Sequence, residues 1–391
     1  MDVELLRART PGCAHRVHLN NAGAALLAQP TLDAMTDQLR LEAELGGYEA
    51  EAAARGRIGD TYAALAELLG GRPEQIALFD NSTHAWNAGC YSIPLRKGDR
   101  IITGTDEYGS SVLAYLQIAA RTGAELVVIP NDASGQLDLD VLRAEVDERT
   151  KLIGLTWVPT ASGLVNPAAE VGAIARTVDA LYLLDATQAV GQFPIDVAAI
   201  GCDLLNGTGR KFLRGPRGTG FLWVSDRALA RLDPFVVEIQ SATWDGARGF
   251  TFAPGARRFE TWENSYVNIV GLGCAVRQAL DLGLAAIGER TGELGALLRA
   301  QLAEIPGVTT YDLGARRCAI VTAGVAGHAP AEVAGRLAEA GINVSTTVPE
   351  HTPFDSEDRG VHPLVRLSPH YYNTEAEIAA AVRVMAEIAA G

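Results

Sequence analysis

The residue whose chemistry stands out is Lys211. It is one of three lysines, with Lys97 and Lys151, in a chain that otherwise carries its positive charge on 30 arginines. Schiff-base chemistry with a carbonyl needs a primary amine, which a guanidinium cannot supply. Lys97 sits in a polar turn, Leu95-Arg96-Lys97-Gly98-Asp99-Arg100, and Lys151 opens a β-rich run after Asp147-Glu148-Arg149-Thr150. Lys211 alone lies among glycines and phosphate-type donors, in Thr208-Gly209-Arg210-Lys211 and the following Phe212-Leu213-Arg214-Gly215-Pro216-Arg217-Gly218-Thr219-Gly220. Glycines permit close backbone approach, Thr208 and Arg210 suit a phosphate, and an adjacent guanidinium favours the neutral, nucleophilic amine. The segment is not a Walker motif, because G-K-[ST] is absent. Taken alone it also reads as a solvated basic loop.

Three further segments could carry chemistry. Asp185 follows four apolar residues in Leu181-Tyr182-Leu183-Leu184 and precedes Ala186-Thr187-Gln188. A carboxylate at a buried strand end is costly unless paired, and a protonated heterocyclic nitrogen would pair with it; a helix cap is the plainer alternative. In Asp80-Asn81-Ser82-Thr83-His84-Ala85-Trp86, Ser82 and Thr83 fall at a helix N-terminus, where free amides bind anions or are simply capped. In Asp106-Glu107-Tyr108-Gly109-Ser110, Tyr108 could stack on a planar ring or belong to the core.

The elements that would position these residues alternate. Apolar runs at Gln75–Phe79, Arg100–Thr103, Glu125–Ile129, Lys151–Val158, Leu181–Leu184 and Gly220–Val224 are separated by amphipathic stretches such as Ser111–Thr122, Asp140–Val146 and Ala168–Thr177. That pattern predicts a mostly parallel α/β sheet buried on both faces, with ligands at the strand C-terminal ends. Helices are expected at Pro30–Leu45, Arg55–Leu69, Val267–Leu284 and Gly288–Glu304. A smaller α+β unit follows: Ala319–Ala323, Ala329–Ala340, Asn343–Thr347, Val365–Leu367 and a closing helix Glu375–Ala389. Pro349–Pro363 is the most loop-like stretch.

Composition excludes other classes. With 391 residues, 48% hydrophobic and 20% charged, the chain is too apolar for disorder. The net charge of −14 argues against sequence-independent nucleic-acid binding. No apolar run reaches the roughly 18 residues of a membrane span, and Met1-Asp2-Val3-Glu4 lacks a signal pattern. Cys13, Cys90, Cys202, Cys274 and Cys318 are scattered, without C-x-x-C, so disulfides and a zinc site are not expected and a cytoplasmic setting is.

The four segments, in this order at strand ends, resemble the class V aminotransferase group of fold-type-I pyridoxal-phosphate (PLP) enzymes. That group includes cysteine desulfurases, isopenicillin-N-epimerase-like proteins and C–S lyases. The resemblance runs from His18-Leu19-Asn20-Asn21-Ala22-Gly23 to Val365-Arg366-Leu367-Ser368-Pro369-His370-Tyr371-Tyr372-Asn373-Thr374. It implies a large PLP-binding domain over 20–265 and a small domain over 266–391 joined by 1–19. It further implies that Lys211 carries pyridoxal 5'-phosphate and works as acid and base at Cα, with Asp185 holding the ring nitrogen protonated. Gln188 matches the donor to the ring hydroxyl oxygen, Tyr108 the stacking position, and Thr83, His84, Thr208 and Arg210 the phosphate cradle, with Ser82 adjacent. Arg366 matches the clamp on the substrate carboxylate; Asn21 and Thr160 fall at the substrate side. A homodimer is implied, with the Trp262–Ser265 loop reaching the neighbouring site.

The chain also departs from that pattern. Desulfurases need a nucleophilic cysteine on a loop shortly before the arginine, and residues 348–363 contain none. Thr160 stands where desulfurases carry asparagine, and Trp262-Glu263-Asn264 replaces a Gly-Thr-Pro-like stretch. His351 and His362 are unassigned, open to a substrate or a solvated-loop role. The expected activity is chemistry at Cα of an amino acid, with β-elimination from a cysteine conjugate first. Transamination, and an epimerase or decarboxylating variant, remain alternatives. A regulatory protein that kept the fold without catalysis would lack reason to retain Asp185, Lys211 and Arg366 together.

Overall fold

The computed structural model describes residues 1–391 except Ala247 and His362. Its centre is a seven-stranded sheet in the order Ile76–Phe79, Gly220–Val224, Leu204–Thr208, Leu181–Asp185, Thr150–Thr156, Arg100–Gly104, Glu125–Ile129. Gly220–Val224 runs antiparallel to both its neighbours, and every other pairing is parallel. The inner strands are buried along their length because helices cover both faces, so they read as continuous apolar runs rather than alternating ones. One consequence decides the site. Phe79, Gly104, Thr156, Asp185 and Thr208 all fall at the same edge of the sheet.

The smaller unit is an antiparallel four-stranded sheet in the order Val308–Thr310, Val321–Val325, Val365–Leu367, Ser345–Thr346. Helices Pro330–Glu339, Glu375–Ala389 and part of Leu284–Ala303 bury an apolar core against it. The N-terminal Val17–His18 pairs with Ile342–Asn343, and Asn20 bridges to Ser368, so the first residues join this unit.

Helix Tyr266–Leu282 packs on Gln29–Leu45 and Gly47–Leu69, and its Ile269, Leu272, Val276 and Ala279 enter the large core. Ile287, in the next helix, joins the same core. Gly273 makes the close approach possible: a Cβ there would lie 2.3 Å from Thr61 Oγ1, which itself donates to Ile269 O at 3.0 Å.

The loop-like stretch 349–363 is partly helical. Pro353 opens the helix Pro353–Arg359, Asp355 and Arg359 pair at 2.6 Å one turn apart, and Gly360 closes it in the left-handed region at φ 61°. Glycine and proline here cap an element instead of replacing one. No single helix among the described residues is long and apolar enough to cross a membrane.

Candidate active site

Lys211 lies in the turn after Leu204–Thr208, with its side chain buried at the edge of a cleft. Burial pushes its ammonium well below the usual lysine range; Arg210 and Arg366 push the same way, and Asp185 opposes them. This direction favours the neutral amine, which is the nucleophilic form.

Asp185 closes its strand at the cleft floor. Its Oδ1 accepts from Thr187 N at 2.8 Å and from Asn206 Nδ2 at 3.2 Å. The same Asn206 amide donates to Ser82 Oγ at 2.7 Å, and Ser82 Oγ shares a short hydrogen bond with Thr187 Oγ1. Three strand ends are thereby cross-linked around one carboxylate.

Helix Ser82–Cys90 points its first turn into the cleft. Asn81 caps it by accepting from His84 N at 2.8 Å. Ser82 and Thr83 line the cleft, but His84 does not. Each helical residue turns by about 100°, which carries the His84 ring out of the cleft to pair with Asp80 at 2.6 Å, largely exposed. The phosphate-cradle expectation for the His84 side chain is corrected on this point. Thr208 and Arg210 do line the cleft. Thr208 Oγ1 donates to Thr219 O at 2.7 Å, and Arg210 Nη1 donates to Gly23 O.

Tyr108 lies at the N-terminus of helix Gly109–Thr122 and lines the cleft. Its N–H donates to Glu107 Oε1 at 2.9 Å and Thr156 Oγ1 at 3.2 Å. Glu107 also accepts from Thr103 Oγ1 at 2.7 Å and from Thr156 Oγ1. Burial pushes its carboxyl up to about 7. His351 stacks near the Tyr108 ring, with centroids 6.4 Å apart and planes 30° apart. It therefore packs by the cleft rather than in a solvated loop; His362 lies outside the described residues.

Arg366, Thr160 and Gln188 form a chain. Arg366 Nη1 donates to Thr160 Oγ1 at 2.6 Å and to Thr160 O at 3.0 Å. Gln188 Nε2 donates to Thr160 Oγ1 at 3.0 Å and to Ala22 O at 3.1 Å. Both amide hydrogens of Gln188 are thus spent within the protein, which runs against its expected role as donor to a ring oxygen. Burial and Arg210 pull the Arg366 guanidinium down to about 10, still charged at neutral pH. Its buried Nε and Gln188 Oε1 have no hydrogen-bond partner among the described residues.

Asn21 is not at the cleft. Its Nδ2 donates to His18 O at 3.2 Å and Ser368 O at 2.7 Å, and its Oδ1 accepts from Tyr372 Oη. It staples the N-terminal segment to the small unit, so the substrate-side expectation is corrected. Tyr48 and Trp244, exposed by 70% and 75%, do not line the cleft either. The residues that sequence reasoning passed over are Asn206, Thr187, Thr156 and Glu107. Asn206 carried a signal: a polar side chain directly after the apolar Leu204-Leu205 of a buried strand.

The arrangement tests well against an aromatic phosphate bearing an aldehyde. Lys211 would offer its amine to the carbonyl, Asp185 a carboxylate to a ring cation, and the helix N-terminus with Thr83 and Arg210 would suit the phosphate, whereas the Thr208 hydroxyl hydrogen is already given to Thr219 O. Arg366 itself is not among the residues that line the cleft; it reaches the cleft wall through its hydrogen bonds to Thr160. The model of the family described as Aminotransferase class-V matches residues 17–380. This chain belongs to the class V aminotransferases. It is an enzyme whose cofactor is pyridoxal 5'-phosphate. Over 397 residues it is 28% identical to a probable cysteine desulfurase of Methanothermobacter thermautotrophicus, covering 100% of this chain and 98% of that one. A cysteine desulfurase of Salmonella gallinarum is 33% identical over 313 residues, 79% of this chain and 74% of the relative. Among solved structures, the cysteine desulfurase CsdA of Escherichia coli shares the fold with a TM-score of 0.91 at 21% identity, covering 99% of this chain and 98% of that one. The cystine C–S lyase C-DES, solved with its product cysteine persulfide, gives 0.87 at 25% identity, covering 97% and 99%.

Proposed function

We propose that this class V enzyme is a C–S lyase, eliminating a thiol from Cβ of a cysteine conjugate. The observation that carries this reading is the absence of a sulfur acceptor. No cysteine lines the cleft, and residues 348–363 before Arg366 contain none. Burial pushes the thiols of Cys13, Cys90, Cys202, Cys274 and Cys318 up, away from the reactive thiolate. Sulfur would leave with its carbon substituent instead of passing to the protein. The shared fold with a cystine C–S lyase supports the same branch.

In this reading Lys211 would hold the cofactor, Asp185 would pair with its ring nitrogen, Tyr108 would stack on its ring, and Ser82, Thr83 and Arg210, with the backbone at Thr208, would hold its phosphate. The bound cofactor supplies an electron sink for the pair left at Cα. Arg366 offers its Nε edge to the substrate α-carboxylate, a bidentate geometry that a lysine cannot copy. The Lys211 amine takes the Cα proton. The Cβ–S bond then breaks, the sulfur leaves with the bonding pair and is protonated, and the three-carbon enamine is hydrolysed to pyruvate and ammonia.

The exposed apolar side chains Phe235, Val236, Ile239, Trp244, Phe250 and Trp262 support a homodimer, with the Trp262–Ser265 loop turned to the neighbouring cleft. Light scattering should give twice the 41.3 kDa chain mass.

Incubating the holoenzyme with S-alkyl and S-aryl cysteines tests the reaction. Pyruvate, ammonia and free thiol in equal amounts are expected. Accumulation of the amine form of the cofactor, cleared only by a keto acid, would replace this reading with transamination.

A further inference from the structure

We propose that Thr160, and not Gln188, donates the hydrogen bond to the ring hydroxyl oxygen of the cofactor. Gln188 Nε2 carries two hydrogens, and they go to Ala22 O and Thr160 Oγ1. Reversing the amide would set Gln188 Oε1 against Ala22 O, which only accepts. Gln188 Oε1 can itself only accept, and a phenolate oxygen has no hydrogen to offer it.

Thr160 Oγ1 has two lone pairs and one hydrogen. Gln188 Nε2 and Arg366 Nη1 fill the lone pairs, at 3.0 and 2.6 Å. The hydroxyl hydrogen has no acceptor among the described residues, and Thr160 lines the cleft beside Gln188, Asp185 and Lys211. Two neighbours thus fix the oxygen and leave its one donor for the ligand. The substrate carboxylate is the weaker claimant. Thr160 holds Nη1 of Arg366, whereas the unpaired Nε belongs to the opposite edge of that planar group. Gln188 is then a positioning residue, and Thr160 is suited to this geometry by having a single rotatable hydrogen.

A donor to the phenolate stabilises the deprotonated chromophore and lowers the pH at which the visible band titrates. The test is a spectral pH titration of resting holoenzyme without substrate, so its outcome is independent of whether cysteine conjugates are cleaved. Thr160→Val should raise the band's pKa by about one unit, and Thr160→Ser should leave it within a few tenths. Gln188→Met should move it less than Thr160→Val does. Thr160→Ala serves in place of Val if the latter fails to take up cofactor. An unchanged band in Thr160→Val or Thr160→Ala, or a larger shift in Gln188→Met, overturns the assignment.

Discussion

Asn206 donates to Asp185 Oδ1 at 3.2 Å, on the same oxygen that accepts Thr187 N at 2.8 Å. Both hydrogen bonds fall on one oxygen of a side chain that lines the cleft. The sheet register makes this possible, because Asp185 and Asn206 are partners across neighbouring parallel strands.

Replacing that charge isolates its contribution. Asp185→Asn can keep both hydrogen bonds on Oδ1 but turns an amide toward the cofactor ring. An ion pair near 4 Å at an effective permittivity of about 20 is worth about 4 kcal/mol, roughly three decades in rate. We expect kcat to fall by about 10³ with the circular dichroism spectrum unchanged. A loss under tenfold would show that Asp185 does not face the ring nitrogen.

Lys211→Arg should lose the yellow, borohydride-trappable cofactor, because a guanidinium cannot form the Schiff base; substantial retained turnover refutes the assignment. Stability offers a second readout. The folded-state pKa of Lys211 lies below 10.5, so between the two values only the unfolded chain binds that proton. Stability of cofactor-free protein therefore rises with pH across the window. Lys211→Met removes this penalty and should melt a few degrees higher at pH 7, the gain fading as pH approaches 10.5.

Arg366→Ala should raise KM for amino-acid substrates about 100-fold through the loss of two charge-assisted hydrogen bonds. Arg366→Lys should recover only part, because an ammonium cannot present a planar fork. Steady-state kinetics check both. An unchanged KM would place the carboxylate elsewhere.

Glu107 gives a pH dependence of opposite sign. Its folded pKa, about 7, lies above the ordinary 4.5, and Asp106 behaves alike, from 3.8 to about 7. Across these windows the folded chain holds protons that the unfolded chain has released, so stability falls as pH rises to about 7. Glu107→Gln can still accept from Tyr108 N and should flatten part of that slope in urea melts between pH 5 and 8, leaving the share due to Asp106. A slope identical to the parent's would mean that Glu107 ionises normally.

Much of the scaffold was legible because periodicity is local. The strands Glu125–Ile129 and Gly220–Val224 and the helices Ala168–Thr177 and Glu375–Ala389 match the expected bounds, since their apolar spacing and caps lie within each segment. That helix Tyr266–Leu282 packs on Gln29–Leu45 and Gly47–Leu69 is not legible in its own sequence, because an amphipathic face does not name its partner. The 349–363 helix was missed because its stabilising Asp355–Arg359 pair competes with strong turn residues in the same stretch.

At the site, the sequence by itself determined which amine could do the chemistry. With three lysines, only Lys211 sits among glycines and phosphate donors, and charge alone gives no reason for lysine there in an arginine-rich chain. It also placed Asp185 at a strand end, because a lone carboxylate after four apolar residues needs a partner. Tertiary structure decided where side chains point and which hydrogens are already spent. His84 turns outward by helical rotation, Asn21 is consumed as a staple, and Gln188 gives both amide hydrogens away. Thr160 and Arg366 meet across 206 positions of chain. Hydrogen bonds between such distant residues depend on how the two units pack, and no local spacing encodes that.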